Sequence, residues 1–321
     1  MKSYTACWSK LTTSIVTYSK YPTSSILIGK KAGGEQATLF TVDLGRPGRE
    51  VDVFQSTAGS RSSDILFAFA TNRGIAINRA EALDPVWITP DWNDDELREN
   101  GFSSIFAIEF LSGQHHNHKV LLTGSRKGFL NILDLRAPVF TRTSDHITHP
   151  SSVSHIRQIN AHRIIVCGLQ SSLCEYDLRY RKLQSSAQQT SNSMSLNGPL
   201  LNRKFTTPIL TYDDYYNPSS WQHGFDVDLE SGIIAAATGR DGTGSHPPVQ
   251  LFSLHSGKVV RNPYTRSLDM LGEKERDAEK GYQVRGVQFA RDVEGDVKSL
   301  FVGANRGIVR FAWAAKVDEG E

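Results

Sequence analysis

The sequence has few cysteines, no long apolar run and almost no excess of charge. Only Cys7, Cys167 and Cys174 occur among its 321 residues, and there is no Asn-x-Ser/Thr sequon, so the disulfide framework of a secreted protein is not expected. No apolar run approaches the roughly 20 residues that span a bilayer, and the N-terminus lacks the continuous apolar core of a signal peptide. The net charge of +2 makes nucleic acid or an anionic membrane an unexpected main partner. We therefore expect an intracellular protein with free thiols, in the nucleus, the cytoplasm or both.

The chain also lacks the motifs of common catalytic and cofactor sites. It contains no nucleophile elbow, no recognisable Cys-His frame and no carboxylates paired on matched elements. The glycines of residues 239–248 (GRDGTGSHPP) precede neither Lys-Ser/Thr nor a helix, so they predict a hairpin turn rather than a phosphate-binding loop. Residues 114–118 (QHHNH) predict a polar loop, because adjacent histidines seldom supply the converging ligands of a metal site. We expect no catalysis, cofactor, metal or small-molecule substrate.

A repeated hairpin is the main feature that the sequence does contain. Each copy has an apolar strand, a small residue, a polar turn and a second strand. An alternating run precedes each copy and a short apolar stretch, such as PVWIT or KVVRNPY, follows several, which gives up to four strands a copy. The first strands of successive copies begin 39 to 69 residues apart, and the shorter steps match the roughly 40–45 residues of a propeller blade. The six copies are residues 24–44, 64–81, 120–136, 164–179, 233–254 and 300–314.

These copies predict an all-β protein with one β-propeller over residues 1–314, in which each blade covers its faces only against neighbouring blades. The polar stretch 185–202 predicts an exposed loop, and the charged stretch 268–281 predicts an insertion with a short surface helix. Residues 315–321 form an acidic tail. The alternative fold is a β-sandwich, which does not require its hairpins to resemble one another.

Two copies end in the same three residues, and these endings carry a family resemblance. Leu133-Asp134-Leu135-Arg136 and Tyr176-Asp177-Leu178-Arg179 resemble the Trp-Asp-x-Arg ending of WD repeats, in degenerate form. The resemblance implies a WD-repeat β-propeller, for which we favour seven blades over six. The last copy shows no fourth strand after it, and we predict that residues 3–10 supply one by pairing with residues 308–314, which would close the ring.

The C-terminal half shows a narrower resemblance. Four motifs follow one another in a distinctive order: NPSSWQHGFDVDLESGIIAAATGRDG, VQLFSLHSGKVVRNPY, YQVRGVQFA and LFVGANRGIVRFAWA. This order is similar to that of the damage-specific DNA-binding adaptor and cullin-4 associated factors, WD-repeat proteins proposed as substrate receptors of a ubiquitin ligase. The resemblance implies a non-catalytic receptor that joins the ligase adaptor to a client protein, which the sequence does not identify.

The same resemblance implies that Arg136 and Arg179 contact the adaptor, with Asp134 and Asp177 beside them. The planar guanidinium suits this role because it can donate two parallel hydrogen bonds to carboxylate or backbone oxygens. Each Asp is expected to hold the turn at the strand end through backbone N–H groups. The alternative is that each Arg only pairs across the blade surface, as in WD repeats that bind no adaptor.

Other surface motifs leave two interpretations open. The acidic run 91–96 (DWNDDE) and the aromatic run 212–216 (YDDYY) are either solvated loops or partner contacts. The basic stretch 179–182 (RYRK) indicates a solvated strand end rather than an RNA contact. The alternative functions are a WD-repeat scaffold of a ribosome-assembly or chromatin complex and, third, a propeller hydrolase.

Overall fold

The computed structural model of the protein describes just over half of the chain. The predicted features at residues 3–10, 114–118, 185–202, 268–281 and 315–321 lie outside the described residues and stay predictions. The described residues are 16–19, 25–30, 38–43, 53–58, 65–79, 86–89, 95, 102, 104–112, 119–136, 146–180, 205–218, 220, 222–239, 247–261, 284–291, 298–304 and 307–312.

The strands of the described residues form antiparallel sheets whose order follows the sequence. The first sheet contains β1 (Val16–Ser19), β2 (Ser25–Lys30) and β3 (Thr38–Asp43). The second contains β4 (Val53–Ala58), β5 (Ile65–Thr71), β6 (Gly74–Arg79) and β7 (Val86–Trp87). The third contains β8 (Ile105–Phe110), β9 (Val120–Ser125), β10 (Phe129–Asp134) and β11 (His146–Thr148).

The second half of the chain continues the pattern. The fourth sheet contains β12 (Val153–Gln158), β13 (Arg163–Gly168), β14 (Leu173–Asp177) and β15 (Leu210–Thr211). The fifth contains β16 (Phe225–Asp228), β17 (Ile233–Ala237) and β18 (Val249–Ser253). The sixth contains β19 (Gly286–Arg291), β20 (Lys298–Ala304) and β21 (Gly307–Ala312).

The six predicted hairpins are confirmed, since each supplies two adjacent strands of one sheet. The alternating run before each hairpin supplies the first strand of the same sheet, as in β8 before β9 and β10. The predicted outer strand at Val86–Trp87 pairs with β6. In the stretch that begins at Lys258, the described residues 258–261 form only an isolated bridge, between Val259 and Phe252. The described residues contain six sheets, and the number of blades stays a prediction.

The chain divides into two compact units, each with its own apolar core. The first unit comprises residues 1–164 and 177–207, and the second comprises residues 165–176 and 208–321. Strands such as β9 and β14 are buried on both faces, and this burial of apolar area stabilises each unit. The first core includes Ala68, Ala70, Ile75, Ile77, Phe102, Ile105, Ile108, Phe110, Leu121 and Leu133. The second includes Ala235, Ala237, Val249, Leu251, Val284, Val287, Leu300 and Val302.

Within the first unit, β8 of the third sheet packs against β12, the first strand of the fourth sheet. A small residue makes this approach possible, because a Cβ atom on Gly124 would lie 2.2 Å from Cγ1 of Val153. An ion pair also joins the two strands, with Nη1 of Arg157 3.4 Å from Oε2 of Glu109. The two sheets that carry the Asp-Leu-Arg endings are therefore neighbours.

Candidate functional site

The first Asp-Leu-Arg ending forms a tight turn at the end of β10, which we call the first strand end (Asp134–Arg136). The backbone N–H of Arg136 donates to Oδ1 of Asp134 at 3.0 Å. The Arg136 side chain folds back onto the same carboxylate, with Nε 2.8 Å from Oδ1 and Nη2 2.6 Å from Oδ2. The backbone N–H of Leu135 donates to the carbonyl of Lys119 at 2.7 Å, which fixes the turn beside the start of β9.

The second ending repeats this geometry at the end of β14, and we call it the second strand end (Asp177–Tyr180). The backbone N–H of Arg179 donates to Oδ1 of Asp177 at 2.9 Å, and its Nε and Nη2 lie 3.0 and 2.6 Å from Oδ1 and Oδ2. Leu178 donates its N–H to the carbonyl of His162 at 2.7 Å. The N–H of Tyr180 closes the turn by donating to the carbonyl of Asp177 at 3.2 Å.

The role predicted for the two aspartates in the turns is confirmed, since each accepts the backbone N–H two residues later. The arginines differ from the alternative expectation, because each pairs with the Asp of its own turn and not across the blade surface. A guanidinium carries five N–H donors. The edge formed by Nε and Nη2 is occupied by Asp, whereas Nη1 of Arg136 and of Arg179 has no hydrogen-bond partner within the described residues.

The two strand ends differ in how deeply the carboxylate is buried. The Asp177 side chain is 10% exposed, whereas that of Asp134 is 42% exposed. The guanidiniums are similar, at 54% for Arg179 and 57% for Arg136. The hydrogen bond from Arg179 lowers the pKa of Asp177 from 3.8 to about 2, against the opposing effect of burial. Asp177 is therefore ionised at neutral pH, and its pair with Arg179 is the more sheltered one.

Both strand ends lie on the same side of the two neighbouring sheets. The connection after β8 and the one after β12 meet where Oε1 of Gln158 accepts the N–H and the hydroxyl of Ser112, at 2.6 and 2.7 Å. Nε2 of Gln158 donates to the carbonyl of Ser112 at 2.7 Å. The first strand end bonds to the end of one connection and the second to the end of the other. The structure thus brings the four predicted site residues to one side of the third and fourth sheets.

Among the other candidates, the aromatic run 212–216 is largely structural. Tyr212 and Tyr215 are only 1% and 2% exposed. The Tyr212 hydroxyl donates to the carbonyl of Leu254 at 3.2 Å, and the thiol of Cys167 donates to the Tyr215 hydroxyl at 3.2 Å. The interpretation of this run as either solvated loop or partner contact is therefore wrong for these two side chains. Cys167 and Cys174 are buried free thiols, as the hairpin predicted.

The remaining motifs fall mostly outside the described residues. This applies to residues 114–118, to residues 240–246 of the glycine-containing turn and to the acidic run 91–96 except Asp95. Within the part of the chain that the structure describes, no three His, Cys, Asp or Glu side chains converge as metal ligands would. In that same part, no helix has the length and apolar character needed to cross a membrane.

Sequence reasoning gave no functional weight to Tyr180. Its side chain is 66% exposed, and its ring lies under the guanidinium of Arg179, with Cζ 5.4 Å from the ring centroid. His162, also exposed, lies beside the same turn and contributes to the lowered pKa of Asp177. The position of Tyr180 directly after Asp-Leu-Arg was the available signal, whereas the neighbouring His162 is brought close only by the fold.

Comparison with known proteins identifies the fold. No family model matches the chain, and no curated protein matches it, whereas 781 chains of solved structures do. One is a chain of the mitotic checkpoint complex, with a TM-score of 0.57 and 11% identity over 97% of this chain and 80% of that chain. Another is the Cps50 (Swd1) beta-propeller domain of Myceliophteria thermophila, with a TM-score of 0.57 and 12% identity over 96% and 82%. This likeness shows the fold alone: the predicted all-β β-propeller is confirmed, and the β-sandwich is excluded.

Proposed function

We propose that the protein is a non-catalytic WD-repeat interaction protein that acts inside the cell, in the nucleus, the cytoplasm or both, as a substrate receptor of a cullin-4 ubiquitin ligase. In this proposal Asp134, Arg136, Asp177 and Arg179 bind the ligase adaptor, and another surface binds the client. The observation that carries the proposal is the duplication of one geometry. Two Asp-Leu-Arg turns with matching hydrogen bonds lie on the same side of two neighbouring sheets, each with an exposed guanidinium.

The Asp in each turn prepares its Arg for binding. A free arginine side chain has several rotatable bonds, and ordering them in a complex costs free energy. The two bonds from Arg136 to Asp134 and from Arg179 to Asp177 hold each guanidinium in place before the partner arrives. The Nη1 edge can then donate to a carbonyl or carboxylate oxygen of the adaptor with little further ordering.

A binding measurement with the purified adaptor subunit of the cullin-4 ligase tests this proposal. We expect the double substitution Arg136→Ala/Arg179→Ala to weaken binding of the adaptor at least about tenfold, since exposed arginines at the centre of an interface are frequent hot spots. The matched control is Arg126→Ala/Lys127→Ala. It removes two exposed cations from the turn at the opposite end of β10 and should leave binding unchanged.

Two results would contradict the proposal. One is an absence of adaptor binding by the wild-type chain at micromolar concentrations. The other is equal affinity of the wild-type chain and the double arginine variant, both shown by circular dichroism to be folded. Recovery of a ribosome-assembly or chromatin complex without any cullin component in proximity labelling would instead favour the scaffold function.

A further inference from the structure

Resting on the proposed function, we propose that Tyr180 is the anchor residue of the docking surface. In this view the second strand end dominates adaptor binding and the first strand end assists it. The partner that fits is a folded protein surface with an apolar pocket for the Tyr180 ring, rimmed by carbonyl or carboxylate oxygens for Arg179.

The exposure of Tyr180 is the first observation behind this proposal. Within the described residues, the large apolar side chains that are more than 60% exposed are Tyr180, at 66%, and Ile308, at 76%. A tyrosine ring buries a large area on binding and loses few rotatable bonds, which is why tyrosine and arginine are enriched among interface hot spots. Tyr180 adjoins the predicted adaptor contact, whereas Ile308 lies on β21 in the other unit.

The second observation is that Tyr180 and Arg179 are held as one unit. The guanidinium of Arg179 lies over the ring at 5.4 Å from its centroid, within the range of a cation–π contact. The backbone N–H of Tyr180 donates to the carbonyl of Asp177, and the Asp177 carboxylate holds the other edge of the guanidinium. Ring and guanidinium are thus ordered before a partner binds, which reduces the entropic cost of association.

A comparison of the two strand ends favours the second as the anchor. Asp134 is 42% exposed, so water competes for its bonds to Arg136, whereas Asp177 is 10% exposed and holds Arg179 more firmly. The pKa of Asp177 is lowered to about 2 by its bond from Arg179, so this clamp persists at any physiological pH. Within the described residues, no aromatic ring is found stacked on Arg136 as Tyr180 is on Arg179.

Charge argues for a protein partner and against a nucleic acid. An exposed aromatic ring beside an arginine can also stack on unpaired bases of RNA. Binding of RNA depends on cations that neutralise phosphates, but Asp177 already neutralises Arg179, and the net charge of the whole chain is only +2. A site of this kind is suited to contact oxygen atoms and an apolar pocket on a protein surface rather than the row of phosphates of a nucleic acid.

The test compares single variants of the full chain for binding to the purified adaptor subunit by biolayer interferometry. We expect Tyr180→Ala to weaken binding at least about tenfold, because truncation of an aromatic anchor typically costs that much or more. Tyr180→Phe keeps the ring and should stay within about twofold of the wild type. Ile308→Ala is the control for loss of an exposed apolar side chain and should bind normally. The melting temperature of each variant shows that it is folded.

The outcomes separate this inference from the proposed function. If Tyr180→Ala binds as the wild type does while Arg136→Ala/Arg179→Ala does not, the anchor role is wrong and the receptor function stands. If the wild-type chain does not bind the adaptor, both fall. In a parallel arm with a labelled polyuridine oligonucleotide, binding that Tyr180→Ala abolishes would overturn the assignment to a protein partner.

Discussion

Two glycines with similar backbone conformations and different surroundings offer a direct test of the packing in the β-propeller. Gly128, in the turn between β9 and β10, has φ of +78°, and Gly232, between β16 and β17, has φ of +66°. Both conformations are unfavourable for a residue with a Cβ atom. We predict that Gly128→Ala destabilises the protein much more than Gly232→Ala does.

The difference follows from what a new Cβ atom would meet. At Gly128 it would lie 2.5 Å from the carbonyl oxygen of Ser151 and 2.6 Å from that of His149, both on the backbone. At Gly232 its nearest neighbour is Nε2 of His255, at 3.4 Å and at the end of a side chain. The positive φ costs roughly 1–2 kcal/mol at either site. Forcing the backbone apart at Gly128 adds about 1–3 kcal/mol, so its total is roughly 2–5 kcal/mol.

Urea-induced unfolding at 25 °C measures the two variants against the wild type. The five tryptophans report the transition by fluorescence, and circular dichroism checks that both probes give the same midpoint. We expect a shift of the midpoint for Gly128→Ala that is at least about twice that for Gly232→Ala. Equal midpoint shifts would refute this prediction, because they would show that the backbone at His149 and Ser151 moves away from the new Cβ atom without a cost in free energy.

Three further predictions concern buried polar groups. Asn217 is fully buried and exchanges hydrogen bonds of 2.7 and 3.0 Å with the backbone of Ser220. Asn217→Ala should therefore lower the free energy of unfolding by about 2–3 kcal/mol. The control Asn160→Ala removes an exposed side chain whose Oδ1 accepts the backbone N–H groups of His162 and Arg163, and it should cost about 1 kcal/mol or less in the same urea assay. The folded pKa of Asp177 is depressed from 3.8 to about 2, so the stabilisation of the fold by ionised Asp177 is complete above about pH 4 and is lost as the pH falls towards 2. Asp177→Asn should lack this part of the acid dependence of unfolding. If the wild type and the variant lose stability in parallel with falling pH, the ion pair does not stabilise the fold. Burial raises the pKa of Cys174 to about 11, so mass spectrometry should find this thiol unlabelled by iodoacetamide at pH 8 in the native protein and labelled after unfolding, and native labelling would show that the site is open.

The strands were largely predictable because their signal is local. Alternation of apolar and polar residues, as in Phe225–Asp228, and a turn such as Arg126–Gly128 are properties of a few consecutive residues. The outer strands were less predictable: Val86–Trp87 pairs as expected, but only a single bridge forms at Val259. An outer strand buries little apolar surface, so burial places little constraint on its sequence and the apolar pattern that would reveal it is weak.

In the candidate site, too, contacts within one turn were predictable from the sequence and contacts between distant residues were not. The bond from Asp to the backbone N–H two residues later was predictable, because that contact depends only on the turn itself. The unequal burial of Asp134 and Asp177 was not, since the second lies beside His162 on a different connection of the sheet. The exposure of Tyr180 depends likewise on how neighbouring elements cover the turn. The sequence of residues 179–182 therefore indicated only a basic stretch, whereas the structure shows the Tyr180 ring stacked on the guanidinium of Arg179.

The duplication of the Asp-Leu-Arg turn has a physical explanation in this geometry. Because Asp neutralises each guanidinium, one strand end offers a partner a few hydrogen bonds, each with a net value of about 0.5–1.5 kcal/mol, which is too little for a stable complex. In the proposed receptor function, two such ends on one side of neighbouring sheets would engage the same partner with only one loss of translational freedom, so their contributions would combine. The bonds between Gln158 and Ser112 fix the two connections relative to each other and so preserve the spacing on which this gain depends. Under the proposed function, a second copy of the motif would add donors that the first cannot supply, since a single neutralised arginine has only one edge left to donate.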